Sequence, residues 1–309
     1  MLVPPGFRRQ SQVIRLGTLS YVEPDPQFWF PQSLTERDPL QPDLLFIHGF
    51  GGGSSNYEWS KVYPAFAPHY RVLAPDLLGW GASDHPDQPC SLDDYLDSIW
   101  DFIDQQCEQP PIVVASSLTA AMMVREAVLH PADIRGLILV APTGLNDFGE
   151  NEEQSIVNQI VRIPWVDKAL YSGAIATAEG IRLFLTQRQF ADSSKISDEI
   201  VEAYLQSAQQ PKADVAALAF VRGDLNFDLA HYLPKLTTPT AILWGEAAQF
   251  TKPDTGKRLA ALNPEAIIRF EILPDVGLTP HLEIPAVTIG LIQDFIKDIN
   301  NSNNQLSHL

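Results

Sequence analysis

Hydrophobic and polar residues alternate near the start of the chain and then give way to short, continuous apolar runs. The alternating stretches are Gln12-Val13-Ile14-Arg15-Leu16 and Thr18-Leu19-Ser20-Tyr21-Val22, on either side of Gly17. That pattern predicts an opening antiparallel hairpin. A proline-rich loop with Pro24, Pro26 and Pro31 follows. Asp43 to His48 is the first continuous run, and it ends in Gly49-Phe50-Gly51-Gly52-Gly53, as a buried strand meeting a glycine loop would. Arg71 to Asp76, Ile112 to Val114 and Gly136 to Ala141 are further runs of this kind. Between them, Leu92 to Gln106 carries Leu96, Ile99, Trp100 and Ile103 at helical spacing, and Ala120 to Leu129 reads as a second helix. Strands separated by helices in this way predict an α/β fold, a mostly parallel, doubly wound sheet covered on both faces.

The rhythm breaks over residues 143–236. Amphipathic helices follow one another there, including Gln154 to Val161, Glu179 to Thr186 and Asp198 to Ala208, with no strand among them. Strands resume at Thr240 to Gly245 and Ile267 to Leu273, and a closing helix covers Pro285 to Ile299. The expected organisation is a core domain over 1–142, an all-helical cap over 143–236, the rest of the core over 237–299, and a polar, disordered tail over 300–309.

Composition narrows the class. A chain of 309 residues, 45% apolar and 19% charged, suits one large globular α/β domain with an insertion. The formal charge of −17 argues against nucleic acid or an anionic membrane surface as partner. Cys90 and Cys107 suggest no disulfide framework, and a reducing compartment fits them best. Met1 to Arg9 lacks an apolar core of signal-peptide length, and no stretch approaches a membrane span. A cytoplasmic protein without integral membrane association is expected.

The candidate chemistry begins where the run Ile112-Val113-Val114-Ala115-Ser116 turns through Ser117 into the Ala-rich helix. This is the strand–turn–helix context of a nucleophile elbow, in which a sharp turn lifts a serine hydroxyl above a sheet. The usual G-x-S-x-G reads Ala115-Ser116-Ser117-Leu118-Thr119 here, and Thr119 is the larger departure. A serine in such a turn attacks only if a histidine takes its proton and a carboxylate orients that histidine.

Four segments in order resemble the α/β-hydrolase superfamily, in particular its capped, esterase- and lipase-like members. Phe46-Ile47-His48-Gly49-Phe50-Gly51-Gly52 resembles its His-Gly loop, and Asp76-Leu77-Leu78-Gly79-Trp80-Gly81-Ala82-Ser83 resembles its D-x-x-G-x-G-x-S loop. Ser117 occupies the elbow, and Leu273 to Pro285 resembles the terminal segment that normally reads G-H-x-P-H-x-E-x-P. The resemblance implies an oxyanion hole from the backbone N–H groups of Phe50 and Leu118, with His48 and Gly49 in the same loop. It also implies a base at the position held by Leu278 and an orienting acid at the position held by Ala248. Neither residue can move a proton. Loss of a triad member costs about four to six orders of magnitude, so ordinary serine hydrolysis is expected to be weak or absent.

Seven histidines offer possible replacements for the base: His48, His69, His85, His130, His231, His281 and His308. His281 stands three residues beyond the base position and reads as structural before catalytic. His48 is expected to bond backbone, and His231 to be a solvated or capping residue. Asp147 lies several residues too far along to serve as acid, Glu246 and Asp275 read as loop charges, and Asp76 as a loop-former. No metal cluster, dinucleotide motif or phosphate loop is present, and no cofactor is implied. Three functions remain open. The first is a capped pocket that binds a small apolar carbonyl molecule. The others are an ester or thioester hydrolase using Ser117 with an unorthodox base, and a non-catalytic scaffold.

Overall fold

Alternation at the start does produce a hairpin, longer on both arms than the alternating stretches. In a computed structural model describing residues 2–29, 41–150, 171–249 and 251–306, β1 (Phe7–Ile14) pairs antiparallel with β2 (Gly17–Pro24), Ile14 facing Gly17. The continuous apolar runs become β3 (Leu44–Ile47), β4 (Val72–Pro75), β5 (Ile112–Ser116), β6 (Gly136–Val140) and β7 (Thr240–Gly245), and every residue in them is buried. β8 (Ile267–Leu273) is an edge strand and carries an exposed Arg269 and a half-buried Glu271. The eight strands lie in the order β1-β2-β4-β3-β5-β6-β7-β8, antiparallel up to the β2–β4 pairing and parallel from β4 to β8.

Helix α1 (Leu92–Gln106) starts where its capping chemistry dictates. The Ser91 side chain accepts the Asp94 N–H, and the Asp94 carboxylate accepts the Ser91 N–H. Helix α2 (Ser117–Leu129) begins three residues earlier than its apolar spacing suggests, directly at the turn. Beyond β6 come α3 (Ala178–Phe184), continued by wider helical turns over Leu185–Gln189, then α4 (Asp198–Ala208) and α5 (Ala213–Arg222). The helix expected over Gln154–Val161 lies outside the described residues. α5 was not anticipated; it is short, Ala-rich and closed by Gly223 at φ 77. Helices α6 (Pro253–Ala260) and α7 (Pro285–Leu306) complete the core.

α7 corrects one expectation. It runs past Ile299 to Leu306, so residues 300–306 are helical and not a disordered tail. Side chains of Asn300 and Asn303 explain this. Asn300 Oδ1 accepts from Arg135 Nε (3.1 Å), and Asn303 Nδ2 donates to the Arg135 carbonyl (3.0 Å). Among the described residues no helix is long and apolar enough to cross a membrane, and Cys90 and Cys107 are free.

The helical insertion leaves the sheet after β6 and returns before β7, and a buried carboxylate closes its root. Asp147 accepts the Thr143 hydroxyl (2.7 Å), the Gly144 N–H (3.2 Å) and the Leu229 N–H (2.9 Å). Phe227 N–H donates to the Gly144 carbonyl (2.8 Å), and Phe148 N–H donates to Asp228 (3.1 Å). Burial raises the Asp147 carboxyl above its ordinary value, while these hydrogen bonds pull it back. Asp147→Ala should therefore leave buried N–H groups unpaired at both ends of the insertion and cost about 2–4 kcal/mol. Urea melts of the variant check this, and a loss below about 0.5 kcal/mol, the size of an ordinary surface change, would refute the clamp.

Candidate functional site

Ser117 follows the last residue of β5 at φ 55, left-handed geometry that a residue with a Cβ adopts at a cost of about 1–3 kcal/mol. Every residue from Ile112 to Ser116 and from Leu118 to Val124 is buried, whereas Ser117 is partly exposed. The turn thus lifts one hydroxyl out of the core at the end of a central strand. Gly49 makes room for it: a Cβ there would lie 3.1 Å from Ser116 Oγ and 3.4 Å from Ser117 Cβ. Thr119, where a glycine is usual, is buried and donates its hydroxyl to the His48 carbonyl (2.8 Å). The departure from glycine adds a tie between the first turn of α2 and the His-Gly loop.

In that loop the His48 ring is fully committed. Leu77 N–H donates to Nε2 (3.1 Å), so the ring proton sits on Nδ1, which donates to the Gly49 carbonyl (2.7 Å). Gly49 N–H donates to Glu58 Oε2 (3.0 Å). The His48 ring thus bonds backbone, and the Gly49 N–H is taken up by Glu58. Phe50 N–H takes part in no hydrogen bond among the described residues. Leu118 N–H, in the first turn of α2, has no partner within its helix. The Phe50 ring packs edge-on against Trp80 and Tyr95 and stacks on Phe220 of α5.

The loops after β7 and β8 run side by side. Ala247 N–H donates to the Val276 carbonyl (2.9 Å), Glu246 N–H to the Leu273 carbonyl (2.9 Å), and Gly245 lies against the Gly277 carbonyl. Ala248 and Leu278, both buried, lie in these two loops, beyond the C-terminal ends of β7 and β8, the same end of the parallel strands at which Ser117 follows β5. Glu246 and Asp275 are exposed beside them.

The other described histidines sit in surroundings of their own. His69 and His231 are exposed, His85 Nε2 meets the Gly81 carbonyl, His130 stacks on Trp100, and His308 lies outside the described residues. Asp147 is spent on the root of the insertion. Asp76 accepts the N–H groups of Asn56 (2.6 Å) and Ala82 (2.9 Å) and shapes its own loop. His281 is sealed in the core, stacked on Trp59 at 4.1 Å between ring centroids and 21° between planes, and neither ring nitrogen has a partner. Among the described residues no group of three His, Cys, Asp or Glu could hold a metal.

Sequence reasoning missed the polar contacts that seat the insertion on this edge. Glu58, buried, accepts the Tyr204 hydroxyl of α4 through Oε1 (3.1 Å), and Gly53 lies against the Tyr204 carbonyl. The Ser207 hydroxyl donates to the Ser54 carbonyl (2.9 Å). Glu283 accepts N–H groups from Gly277 (2.8 Å), Ala191 (3.3 Å) and Asp192 (2.8 Å), and Leu278 N–H donates to the Gln189 carbonyl (2.7 Å). In sequence these acids stand among ordinary polar loop residues. Only the Glu of the terminal motif offered a signal. A groove of about 480 Å³ lined by Pro110, Arg135 and Thr238 lies at the opposite end of the strands, where β6 and β7 begin.

Burial pushes the His281 imidazole down to about 3. The unfolded chain takes up that proton near pH 6.5, so this residue supports folding fully above about pH 6.5 and progressively less as the pH falls toward 3. His281→Phe keeps a ring on Trp59 without the partnerless nitrogens. It should raise stability at pH 7 by roughly 1–3 kcal/mol and flatten the loss of stability between about pH 6.5 and 3. Urea melts across that range measure both, and an acid limb parallel to the wild type's would assign it to other groups.

Known proteins agree with this architecture. The chain is 28% identical over 229 residues to a 2-hydroxy-6-oxo-6-(2'-aminophenyl)hexa-2,4-dienoic acid hydrolase of Metapseudomonas resinovorans, covering 72% of this chain and 73% of that protein. It is 26% identical over 293 residues to epoxide hydrolase 3 of Xenopus tropicalis, covering 88% and 75%. A serine hydrolase involved in carbazole degradation superposes with a TM-score of 0.73 at 22% identity, covering 94% of this chain and 99% of that one. A haloalkane dehalogenase from Bradyrhizobium elkani superposes with 0.74 at 20% identity, covering 96% and 99%. The structural likenesses speak to fold alone. Residues 44–290 match the alpha/beta hydrolase family, and the chain, with that family's parallel sheet and strand–turn–helix elbow, belongs to it.

Proposed function

We propose that this chain is a ligand-binding member of its family, in which a pocket under the helical cap (residues 143–236) holds a small apolar carbonyl compound and ordinary serine hydrolysis is weak or absent. The observation that carries the reading is the pairing of Ala248 and Leu278. Their loops are hydrogen-bonded neighbours at the elbow's end of the strands, where acid and base would stand, and neither side chain titrates. What remains is suited to holding a carbonyl group. The N–H groups of Phe50 and Leu118 are uncommitted, the Ser117 hydroxyl is partly exposed, and the nearby walls include Phe50, Trp80 and Phe220. A purely structural scaffold would have little use for uncommitted donors beside a strained serine.

A second reading, a hydrolase that works with an unorthodox base, draws on the same strained Ser117 and on relatives named as hydrolases. It needs a proton acceptor. His48 is committed to backbone and His281 is sealed, which favours the binding reading.

Rebuilding the missing groups tests the assignment. Leu278→His with Ala248→Asp should raise Ser117-dependent hydrolysis of a small activated ester by about 10² or more, since a positioned general base contributes roughly 10²–10⁴. Leu278→His alone should recover part of the gain, and Ser117→Ala in the double variant should abolish it. The native protein should react with a fluorophosphonate far more slowly than an intact serine hydrolase. Rapid stoichiometric labelling at Ser117 would instead support the hydrolase reading. A double variant shown to be folded by its melting curve, yet without Ser117-dependent gain, would refute the assignment of Leu278 and Ala248.

A further inference from the structure

At the end of the strands opposite Ser117, a groove of about 480 Å³ opens where β6 and β7 begin. That volume falls within the range of small-molecule sites. Arg135 and Pro239, the residues just before the two strands, both line it. Pro110, Pro131 and Ile134 extend its apolar wall. Proline rings restrict the backbone at three of these wall positions, which lowers the cost of ordering the wall around a ligand.

Charge sets the groove apart from the rest of the molecule. The chain carries a formal charge of −17, yet no Asp or Glu is among the described residues that line the groove, and Arg135 is the one charged residue among them. Arg135 is partly exposed and held on three sides. Its N–H donates to the Pro111 carbonyl (3.0 Å), its carbonyl accepts from Asn303 Nδ2 (3.0 Å), and its Nε donates to Asn300 Oδ1 (3.1 Å). Nε uses one of the five guanidinium N–H groups. The four on the terminal nitrogens meet no carboxylate or other acceptor among the described residues. A carboxylate matches this fork with two parallel, charge-assisted bonds, each roughly twice as strong as a neutral one.

We propose that this groove is a small-molecule site separate from the elbow, and that it takes a monocarboxylate with an apolar body. The carboxylate pairs with the terminal nitrogens of Arg135, and the body lies along the proline and isoleucine wall. Inorganic phosphate shares the charge but offers nothing to that wall. No residue is common to this groove and the elbow, so the two sites stand or fall separately.

NMR titrations of the full-length protein with 2-naphthoate, 2-naphthamide and inorganic phosphate, each added alone, test this. Backbone amide signals of Ala132, Arg135, Thr237 and Thr238 report on the groove, and those of Ser117 to Thr119 on the elbow. 2-Naphthoate should shift the groove signals saturably and bind about tenfold more tightly than 2-naphthamide, the worth of hydrogen bonds to a charged group. Phosphate should bind more weakly than 2-naphthoate. Arg135→Gln should bring the ratio of naphthoate to naphthamide affinity close to one. Thr237→Glu, at an exposed lining position, adds a carboxylate and leaves the bonds of Arg135 in place. It should lower naphthoate affinity about threefold and leave that of naphthamide within about twofold. The proposal is overturned if 2-naphthoate leaves the groove signals unmoved, shifts the elbow signals alone, or binds no better than 2-naphthamide. A preference that survives both substitutions in folded protein overturns the role of Arg135. Phosphate binding as tight as that of 2-naphthoate would reduce the groove to a patch of charge and overturn the apolar body.

Discussion

Holding Ser117 at φ 55 needs support from every side, because a Cβ in left-handed backbone geometry relaxes wherever its neighbours allow it. β5 supplies rigidity from below, paired in parallel register with β3 on one side and β6 on the other. Gly49 supplies room, since its bare Cα lets the His-Gly loop press against Ser116 and Ser117. Thr119 supplies a bond across that contact through its hydroxyl to the His48 carbonyl. The arrangement of the edge follows from this turn. It sets where the Leu118 N–H points and which loops lie beside the exposed hydroxyl.

Three buried carboxylates then fix the insertion to that edge, Asp147 and Glu283 by accepting backbone N–H groups and Glu58 by accepting the Tyr204 hydroxyl. Asp147 closes its root, Glu58 links the His-Gly loop to α4, and Glu283 ties Gly277 to Ala191 and Asp192. N–H donors to an ionised oxygen give short, charge-assisted bonds, and they satisfy the acid without a buried cation. Glycines allow the approach: Gly53 meets the Tyr204 carbonyl and Gly277 the Gln189 carbonyl, and a side chain at either would force the segments apart. Helix α4 is thereby held against the His-Gly loop.

At the same end of the strands, positions 248 and 278 carry no titratable side chain. Leu278 and Ala248 are apolar, His48 has both nitrogens in use, and His281 is confined to a stack on Trp59. Histidine in the last case behaves as an aromatic plate whose nitrogens cost stability. Near the elbow, the Phe50 N–H makes no hydrogen bond among the described residues and the Ser117 hydroxyl is partly exposed.

Much of the fold was legible in the sequence, because burial on both sheet faces selects continuous runs of apolar residues. β7 and β8 fall where their runs lie, and α1 starts at its capping box, since these features depend on neighbours within a few residues. The same holds for the strand–turn–helix placement of Ser117. Tertiary contact decided the rest. Residues 300–306 are polar enough to read as a loose tail, yet Asn300 and Asn303 extend α7 by bonding to Arg135, a residue far away in the chain. Thr119 departs from the elbow pattern, but its partner, the His48 carbonyl, lies in the loop after β3, distant in the chain. Glu58, Tyr204 and Gln189 read as ordinary residues of a loop and two helical turns, and they form one network only because the insertion folds back over the His-Gly loop. Local pattern carries burial and periodicity, but a hydrogen bond is decided by which donor meets which acceptor, and for buried polar side chains the partner lies on a distant segment.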